Sequence, residues 1–247
     1  MKSLIETREN IEGKLGKDKA SIYITLAGDR RDAAIFYARK KGGIRLIIRW
    51  GLCQFKLQRV SNQKNCMFEN SLHDKLHKQM PVQEIYYSEY HEDRSFSVME
   101  WKEGTQLKGV MYSNDVKGIR QSAFSAGYWL SEIRKIKFLK SGFFNENLEV
   151  NVPLKITPDT FLSFMEEFLI DGQTSHWLGK ELTSEPWNFT RKNSDFLNSI
   201  DEVPGLVHND YNGLNILVSE NKESCEVTSI IDWEFAFAGP VYLAPSF

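Results

Sequence analysis

Along the first hundred residues apolar and polar positions alternate with the period-two pattern of half-buried strands. Ile22, Ile24 and Leu26 predict a strand, Gly28-Asp29-Arg30-Arg31-Asp32 the loop that closes it, and Ala33 to Arg39 the returning strand. Lys40-Lys41-Gly42-Gly43 then turns the chain into a third strand, Ile44 to Trp50. The result is an antiparallel meander. From Asn65 to Lys78 the period lengthens: Phe68, Leu72 and Leu76 share one helical face, Glu69 sits beside it, and Met80-Pro81 ends the run. Ile85 to Tyr87 and Phe96 to Trp101 predict two further strands around the charged turn His91-Glu92-Asp93-Arg94. Together these elements form a first lobe over residues 1–104.

Beyond Gly104 the pattern becomes helical. Ile119, Ala123, Ala126, Leu130 and Ile133 mark the apolar face of a long helix from Asp115 to Phe138. Thr157 has the chemistry of an N-cap and Pro158 suits the first helical position, so a second helix carries Phe161, Met165 and Phe168 and ends near Asp171-Gly172. Residues 105–247 therefore make a second, mainly helical lobe, and the expected fold class is α+β with two lobes.

Composition narrows the function classes. The 247 residues carry 31 Lys and Arg against 33 Asp and Glu, a net charge of −2, so no polyanion-binding surface is built into the chain and nucleic acid is not an expected partner. No uncharged apolar stretch approaches the ~20 residues of a membrane helix, and Glu6, Arg8 and Glu9 interrupt the start where a secretion signal needs an apolar run. Three dispersed cysteines, Cys53, Cys66 and Cys225, make neither a disulfide framework nor a zinc knuckle, so a soluble, cytoplasmic protein is expected. Residues 149–202 hold ten acidic and four basic side chains, a local charge of −6 that reads first as a solvated face.

The stretch richest in chemistry is Leu206-Val207-His208-Asn209-Asp210-Tyr211-Asn212-Gly213-Leu214-Asn215-Ile216-Leu217-Val218, followed by Ile230-Ile231-Asp232-Trp233-Glu234. An apolar run delivers His-x-Asp, a turn with Gly213 delivers Asn215, a second apolar run follows, and a third strand delivers Asp232. Phosphoryl transfer needs a carboxylate to orient the attacking hydroxyl and hard oxygen ligands for a magnesium ion that bridges nucleotide phosphates. Asp210, Asn215 and Asp232 supply those groups, and magnesium keeps enough waters that one amide carbonyl and one or two carboxylates suffice.

These residues resemble the aminoglycoside phosphotransferase and choline kinase family, whose fold is that of the two-lobed protein kinases. His208 to Asn215 matches its His-x-Asp-x-x-x-x-Asn loop, and Ile231-Asp232-Trp233-Glu234 its metal-binding segment. The resemblance implies ATP and Mg²⁺ as cofactors, Asp210 as catalytic base, His208 as the brace of the loop, and Asn215 and Asp232 as magnesium ligands. It also implies that Phe96 to Trp101 is the hinge strand, with the backbone near Glu100 and Trp101 meeting the adenine ring. A cation on the third strand should grip the phosphates and pair with a helix glutamate; Arg49 and Glu69 occupy those places, with Lys56 as a rival to Arg49. His-Arg-Asp, Asp-Phe-Gly and Ala-Pro-Glu are all missing, which argues against a protein kinase.

Plainer readings exist for each residue. His208 could be a satisfied core histidine, and Asp210 and Asn215 could be turn formers. Asp232 behind an apolar run is harder to explain so, because an unpartnered carboxylate there is costly. Trp129, Trp177 and Trp187 fit core packing better than stacking on a ring substrate, and Glu166, Glu167 and Asp171 a solvated helix end better than a cation site. Relatives usually continue for several helices past the metal-binding aspartate, whereas fifteen residues follow Asp232 here, the last thirteen without a charged side chain. Val241-Tyr242-Leu243-Ala244 stands where the family commonly has an aspartate before Leu-Ala. The expectation is an intact nucleotide and metal half-site with a reduced acceptor half, and apolar surface that favours self-association, a homodimer being the candidate assembly.

The expected function is thus transfer of the γ-phosphoryl group of ATP to a hydroxyl of a small molecule, a cation such as an aminoglycoside or amino alcohol being the candidate. The alternative is a catalytically weak or inactive nucleotide-binding relative that acts as an interaction module. A metal hydrolase built on His208, Asp210 and Asp232 fits poorly, since no further ligand cluster is evident.

Overall fold

A computed structural model describes residues 23–30, 33–39, 45–52, 62–90, 94–199, 203–219 and 224–240. Five strands form one antiparallel sheet: β1 (Tyr23–Arg30), β2 (Ala33–Arg39), β3 (Arg45–Leu52), β4 (Ile85–Tyr90) and β5 (Arg94–Glu100), in the order β1-β2-β3-β5-β4. The meander and the later pair of strands therefore join edge to edge, with Arg49 in β3 facing Ile35 on one side and Ser97 on the other. The loop expected at Gly28 is instead strand. β1 continues to Arg30, and the extra residue is absorbed by a register shift between Leu26 and Gly28, as in a β-bulge. The turns at 40–43 and 91–93, Lys56 and residues 241–247 lie outside the described residues.

Helix α1 (Asn62–Leu76) packs on this sheet. Its predicted stripe is buried, with Phe68 at 6% and Leu72 and Leu76 at 1% exposure, each side chain contributing about 1.5–3 kcal/mol by burial. A polar stripe is buried beside it: Glu69, Asn70 and His73. Asn70 Nδ2 donates to Ser97 Oγ at 2.8 Å and that hydroxyl donates back to Asn70 Oδ1 at 3.1 Å, so helix and β5 share a satisfied internal link.

The chain leaves β5 through Gly104, which adopts φ +150°; a Cβ there would lie 2.5 Å from the Val218 carbonyl oxygen. This close approach lets β6 (Thr105–Gln106) pair with β10 (Ile216–Val218), which pairs in turn with β11 (Val227–Ile230). A short helix, α2 (Leu107–Met111), follows, and then α3 (Val116–Ile133), capped by Asp115 Oδ1, which accepts the Gly118 N–H at 3.0 Å.

Ala126 and Ile133 are buried on α3 as predicted, joined by Gly118 and Ser122, whereas Ala123 is exposed. A polar residue is admitted because Ser122 Oγ donates to the Gly118 carbonyl of its own helix at 2.8 Å. The helix also ends at Ile133 rather than Phe138, since Phe138 N–H bonds to the Pro204 carbonyl and Lys137 bridges to Gly205.

A four-stranded sheet, ordered β8-β7-β12-β9, joins β7 (Gly142–Phe144), β8 (Val150–Pro153), β9 (Gly205–Val207) and β12 (Phe237–Gly239). Between β8 and β9 lie α4 (Pro158–Glu166), one π-helical turn over Glu167–Asp171, and α5 (Gln173–Asn193), broken at Gly179. Thr157 caps α4 as predicted, in a reciprocal bond with Thr160. The apolar residues of these helices stay largely exposed, including Phe164, Phe168, Trp177 and Phe189. The core lies elsewhere: Phe68, Leu72 and Leu76 of α1 pack with Leu206, Tyr211, Ile216, Ile230 and Trp233, so one hydrophobic cluster spans both lobes beneath the loops described next.

Candidate active site

Strand β9 ends at Val207, and the next residues turn sharply. His208 is buried at 1% exposure. Its Nε2 donates to the Ile231 carbonyl at 3.1 Å and its Nδ1 accepts the Asp210 N–H at 3.3 Å, a pairing that fits only the neutral ring protonated at Nε2. Burial drives its pKa down to about 4, against smaller opposing effects from the bond to Ile231 and from Asp210 and Glu69. The ring packs on Trp233, 4.4 Å between centroids. Asn209 adopts φ 63°, which reverses the chain and aims Asp210 outward; asparagine is among the residues that tolerate this conformation.

Asp210 is gripped by two amides. Asn215 Nδ2 donates to its Oδ2 at 2.6 Å and to its backbone carbonyl at 3.1 Å. Asn212 Nδ2 donates to Oδ1 at 2.7 Å. Between them Gly213 passes close to α2, where a Cβ would come within 3.0 Å of the Lys108 nitrogen whose N–H bonds to the Gly213 carbonyl. Tyr211 points the opposite way, into the core, and its hydroxyl donates to the Ala126 carbonyl of α3 at 2.7 Å. Burial raises its phenol pKa.

The second segment is locked to the first through Ile231. Its N–H donates to the Asn215 carbonyl at 2.9 Å while its own carbonyl accepts from His208. Asp232, the next residue, adopts φ 68°, so a second left-handed residue sits at this same junction. Trp233 is fully buried, donating its Nε1–H to the Ile230 carbonyl at 3.0 Å. Its backbone N–H donates to Glu69 Oε1 at 3.2 Å, which brings α1 of the first lobe against the Asp232 segment.

Hydrogen bonds through Ile231 and Trp233 therefore tie together the segments that carry His208, Asp210, Asn215, Asp232 and Glu69. Arg49 lies on β3 beside Ser97, the partner of Asn70 on α1, and its side chain is outside the described residues. Glu100 ends β5: its N–H donates to the Glu84 carbonyl at 2.8 Å, its carbonyl accepts from Gln83 Nε2 at 3.0 Å, and its carboxylate pairs with Lys102 at 2.8 Å. Trp101 follows directly after the strand. Trp129 packs against the core cluster, Trp177 is exposed, and Arg191 lies over Trp187. Glu166, Glu167 and Asp171 are exposed. Asn212 escaped the sequence reading, since its type and place in the turn fit a plain turn former.

Comparison with known proteins places this geometry. The phosphotransferase enzyme family matches residues 30–243, most of the chain. The chain belongs to this family. None of the curated proteins matches it. Similar solved structures include wild-type aminoglycoside 2'-phosphotransferase-IIIa with GDP, 14% identical with TM-score 0.65 over 95% of this chain and 74% of that one. A thermostable mutant of aminoglycoside phosphotransferase APH(4)-Ia, in complex with AMP-PNP and hygromycin B, is 14% identical with TM-score 0.63 over 94% and 73%. The streptomycin-ATP-APH(2")-IIa ternary complex is 17% identical with TM-score 0.60 over 96% and 73%. These likenesses establish the two-lobed, kinase-like α+β fold of this phosphotransferase.

The donor set of the phosphotransferase suits magnesium. The Asn215 side-chain nitrogen is committed to Asp210, and the side-chain oxygen Oδ1, a hard donor, accepts no hydrogen bond among the described residues. Asp232 is one residue from the backbone bond that ties Ile231 to Asn215. Among the described residues no group of three or more His, Cys, Asp and Glu side chains could hold a metal ion, so the candidate donors are the Asn215 amide oxygen and the Asp232 carboxylate, and no helix is long and apolar enough to cross a membrane.

Proposed function

We propose that this phosphotransferase moves the γ-phosphoryl group of ATP to a hydroxyl of a small, cationic molecule such as an aminoglycoside or amino alcohol. The observation that supports the reading is the backbone bond from Ile231 to Asn215, which ties the segment carrying Asp232 to the loop in which Asn215 holds Asp210. In it, the acceptor oxygen attacks the γ-phosphorus, the bond to the β-phosphate oxygen breaks, ADP leaves, and the hydroxyl proton passes to the Asp210 carboxylate. Asn215 Oδ1 and the Asp232 carboxylate would hold Mg²⁺, which when bound neutralises charge on the phosphates.

His208 contributes by keeping the two segments in register, and Arg49 or Lys56 would grip the phosphates with Glu69 as partner. Past the hinge strand, the Glu100 carbonyl has a second lone pair for a donor, which suits the exocyclic amino group of adenine. Exposed Glu166, Glu167 and Asp171, in a segment of local charge −6, support a cationic acceptor. The similar structures that hold hygromycin B and streptomycin point the same way.

The test is a thermal-shift series with Mg-ATP and Mg-GTP, followed by transfer from γ-labelled ATP against a panel of aminoglycosides, amino alcohols and sugars. Stabilisation by nucleotide with label transfer to one amine class supports the reading. Stabilisation without transfer to any acceptor would favour a nucleotide-binding interaction module, and no response to either nucleotide would overturn both.

A further inference from the structure

Asn212 is held at both ends. Its Oδ1 accepts the Leu214 N–H at 2.8 Å, and its Nδ2 donates to Asp210 Oδ1 at 2.7 Å and lies 3.2 Å from the Asp210 carbonyl. Turning the amide over would set its oxygen against a carboxylate and its NH₂ against a backbone N–H, so the surroundings allow one orientation only. The turn around Leu214 thus fixes which way the amide points, and the amide fixes one edge of Asp210.

The other edge is fixed by Asn215 at 2.6 Å. A carboxylate has about four lone-pair directions. Two are occupied by amides, and the plane of the group can no longer rotate. The remaining two accept no hydrogen bond among the described residues. Of the two amides, Asn215 also offers its oxygen to a metal, whereas both ends of Asn212 are spent inside the loop.

We propose that Asn212 is a positioning residue that sets the orientation of the Asp210 carboxylate. The proposal rests on the phosphotransferase reading for its kinetic consequence and on geometry alone for its structural one. A base that must meet a hydroxyl at hydrogen-bond distance loses much of its effect when free to rotate, because productive alignment is then only one of several orientations.

Two experiments test it. The first compares the wild type with Asn212→Asp and Asn212→Ser. Asn212→Asp keeps the acceptor for the Leu214 N–H, so the turn survives, but removes the donor to Asp210 and sets two carboxylates side by side. The expected result is a fall in kcat of about 30-fold or more, with KM for Mg-ATP and the nucleotide-induced thermal shift both within about twofold of wild type. Asn212→Ser, which retains a donor on a shorter arm, should recover part of that loss. Equal kcat in wild type and Asn212→Asp would overturn the proposal, as would a parallel loss of nucleotide affinity, which would mean that the residue merely holds the loop together.

The second needs no turnover: in ¹⁵N-edited NMR of the nucleotide-free chain, the Asn212 side-chain NH₂ should exchange more slowly with water than exposed asparagine amides and lose that protection in Asp210→Ala. Solvent-like exchange in the wild type would sink the proposal even if no acceptor were found, and protected exchange in a protein that transfers no phosphate would leave this geometry standing while the phosphotransferase reading fails.

Discussion

Glu69 Oε1 accepts the backbone N–H of Trp233 at 3.2 Å, across 164 positions of sequence. A side chain on the first lobe's helix thereby satisfies a buried donor next to Asp232. Removing the acceptor should leave that N–H unsatisfied, a cost of about 1–3 kcal/mol, which for a chain of this size lowers Tm by roughly 2–4 °C per kcal/mol. Glu69→Ala should show that loss in a thermal melt, and Glu69→Gln, which keeps an oxygen in place, a smaller one. Equal melting temperatures for wild type and Glu69→Ala would contradict the link.

The fold and the candidate site were legible in the sequence wherever a local pattern decides the structure. Phe68, Leu72 and Leu76 are buried on α1 as their spacing requires, and Thr157 caps α4 because its side chain needs only its own first turn. His208, Asp210, Asn215 and Asp232 stood out by residue type and spacing. What was not legible depends on distant partners. Strand β12 is three residues long and exists through pairing with β7 on one side and β9 on the other. The face of α3 was legible in part: Ala126 and Ile133 are buried as their spacing requires, but Ser122 looks polar and yet is buried, returning its hydroxyl to its own helix. Asn212 was passed over because nothing local shows that its amide reaches Asp210.

His208 makes stability depend on pH with a definite sign. The unfolded imidazole titrates near 6.5 and the folded one at about 4, because burial opposes the charge. Below pH 6.5 the unfolded chain binds a proton that the folded chain refuses, so stability present at neutral pH is lost progressively as pH falls toward 4. Between pH 7 and pH 5 the loss attributable to this residue is roughly 2 kcal/mol. Urea unfolding at the two pH values should show a larger drop for wild type than for His208→Gln. Identical drops would mean that His208 is not the buried neutral group described.

Asp232 and Asn215 should act on nucleotide binding only when magnesium is present. At a hundredfold excess of Mg-ATP over its Kd, wild type should gain about 2.7 kcal/mol of apparent stability. Asp232→Ala is expected to weaken Mg-ATP binding by about 10- to 100-fold while leaving the weaker binding of metal-free ATP unchanged. Isothermal titration with and without Mg²⁺ separates the two, and an equal loss in both conditions would argue that Asp232 supports the fold instead of the metal.

Asp210 should behave in the opposite way. Asp210→Asn keeps the shape of the side chain and removes its basicity, so the nucleotide response should persist while label transfer to the best acceptor falls by about 10²–10⁴-fold. A variant that still transfers phosphate at the wild-type rate would remove Asp210 from the chemistry.

If one magnesium ion and one nucleotide are held where the two segments meet at Ile231, a crystal structure with Mg²⁺ and a non-hydrolysable ATP analogue will show both there. The expected result is a metal at about 2.1 Å from Asn215 Oδ1 and from an Asp232 oxygen, the γ-phosphate on that metal, and the Asp210 carboxylate facing it without ligating. A nucleotide bound elsewhere, or a metal site that excludes Asn215 and Asp232, would contradict it.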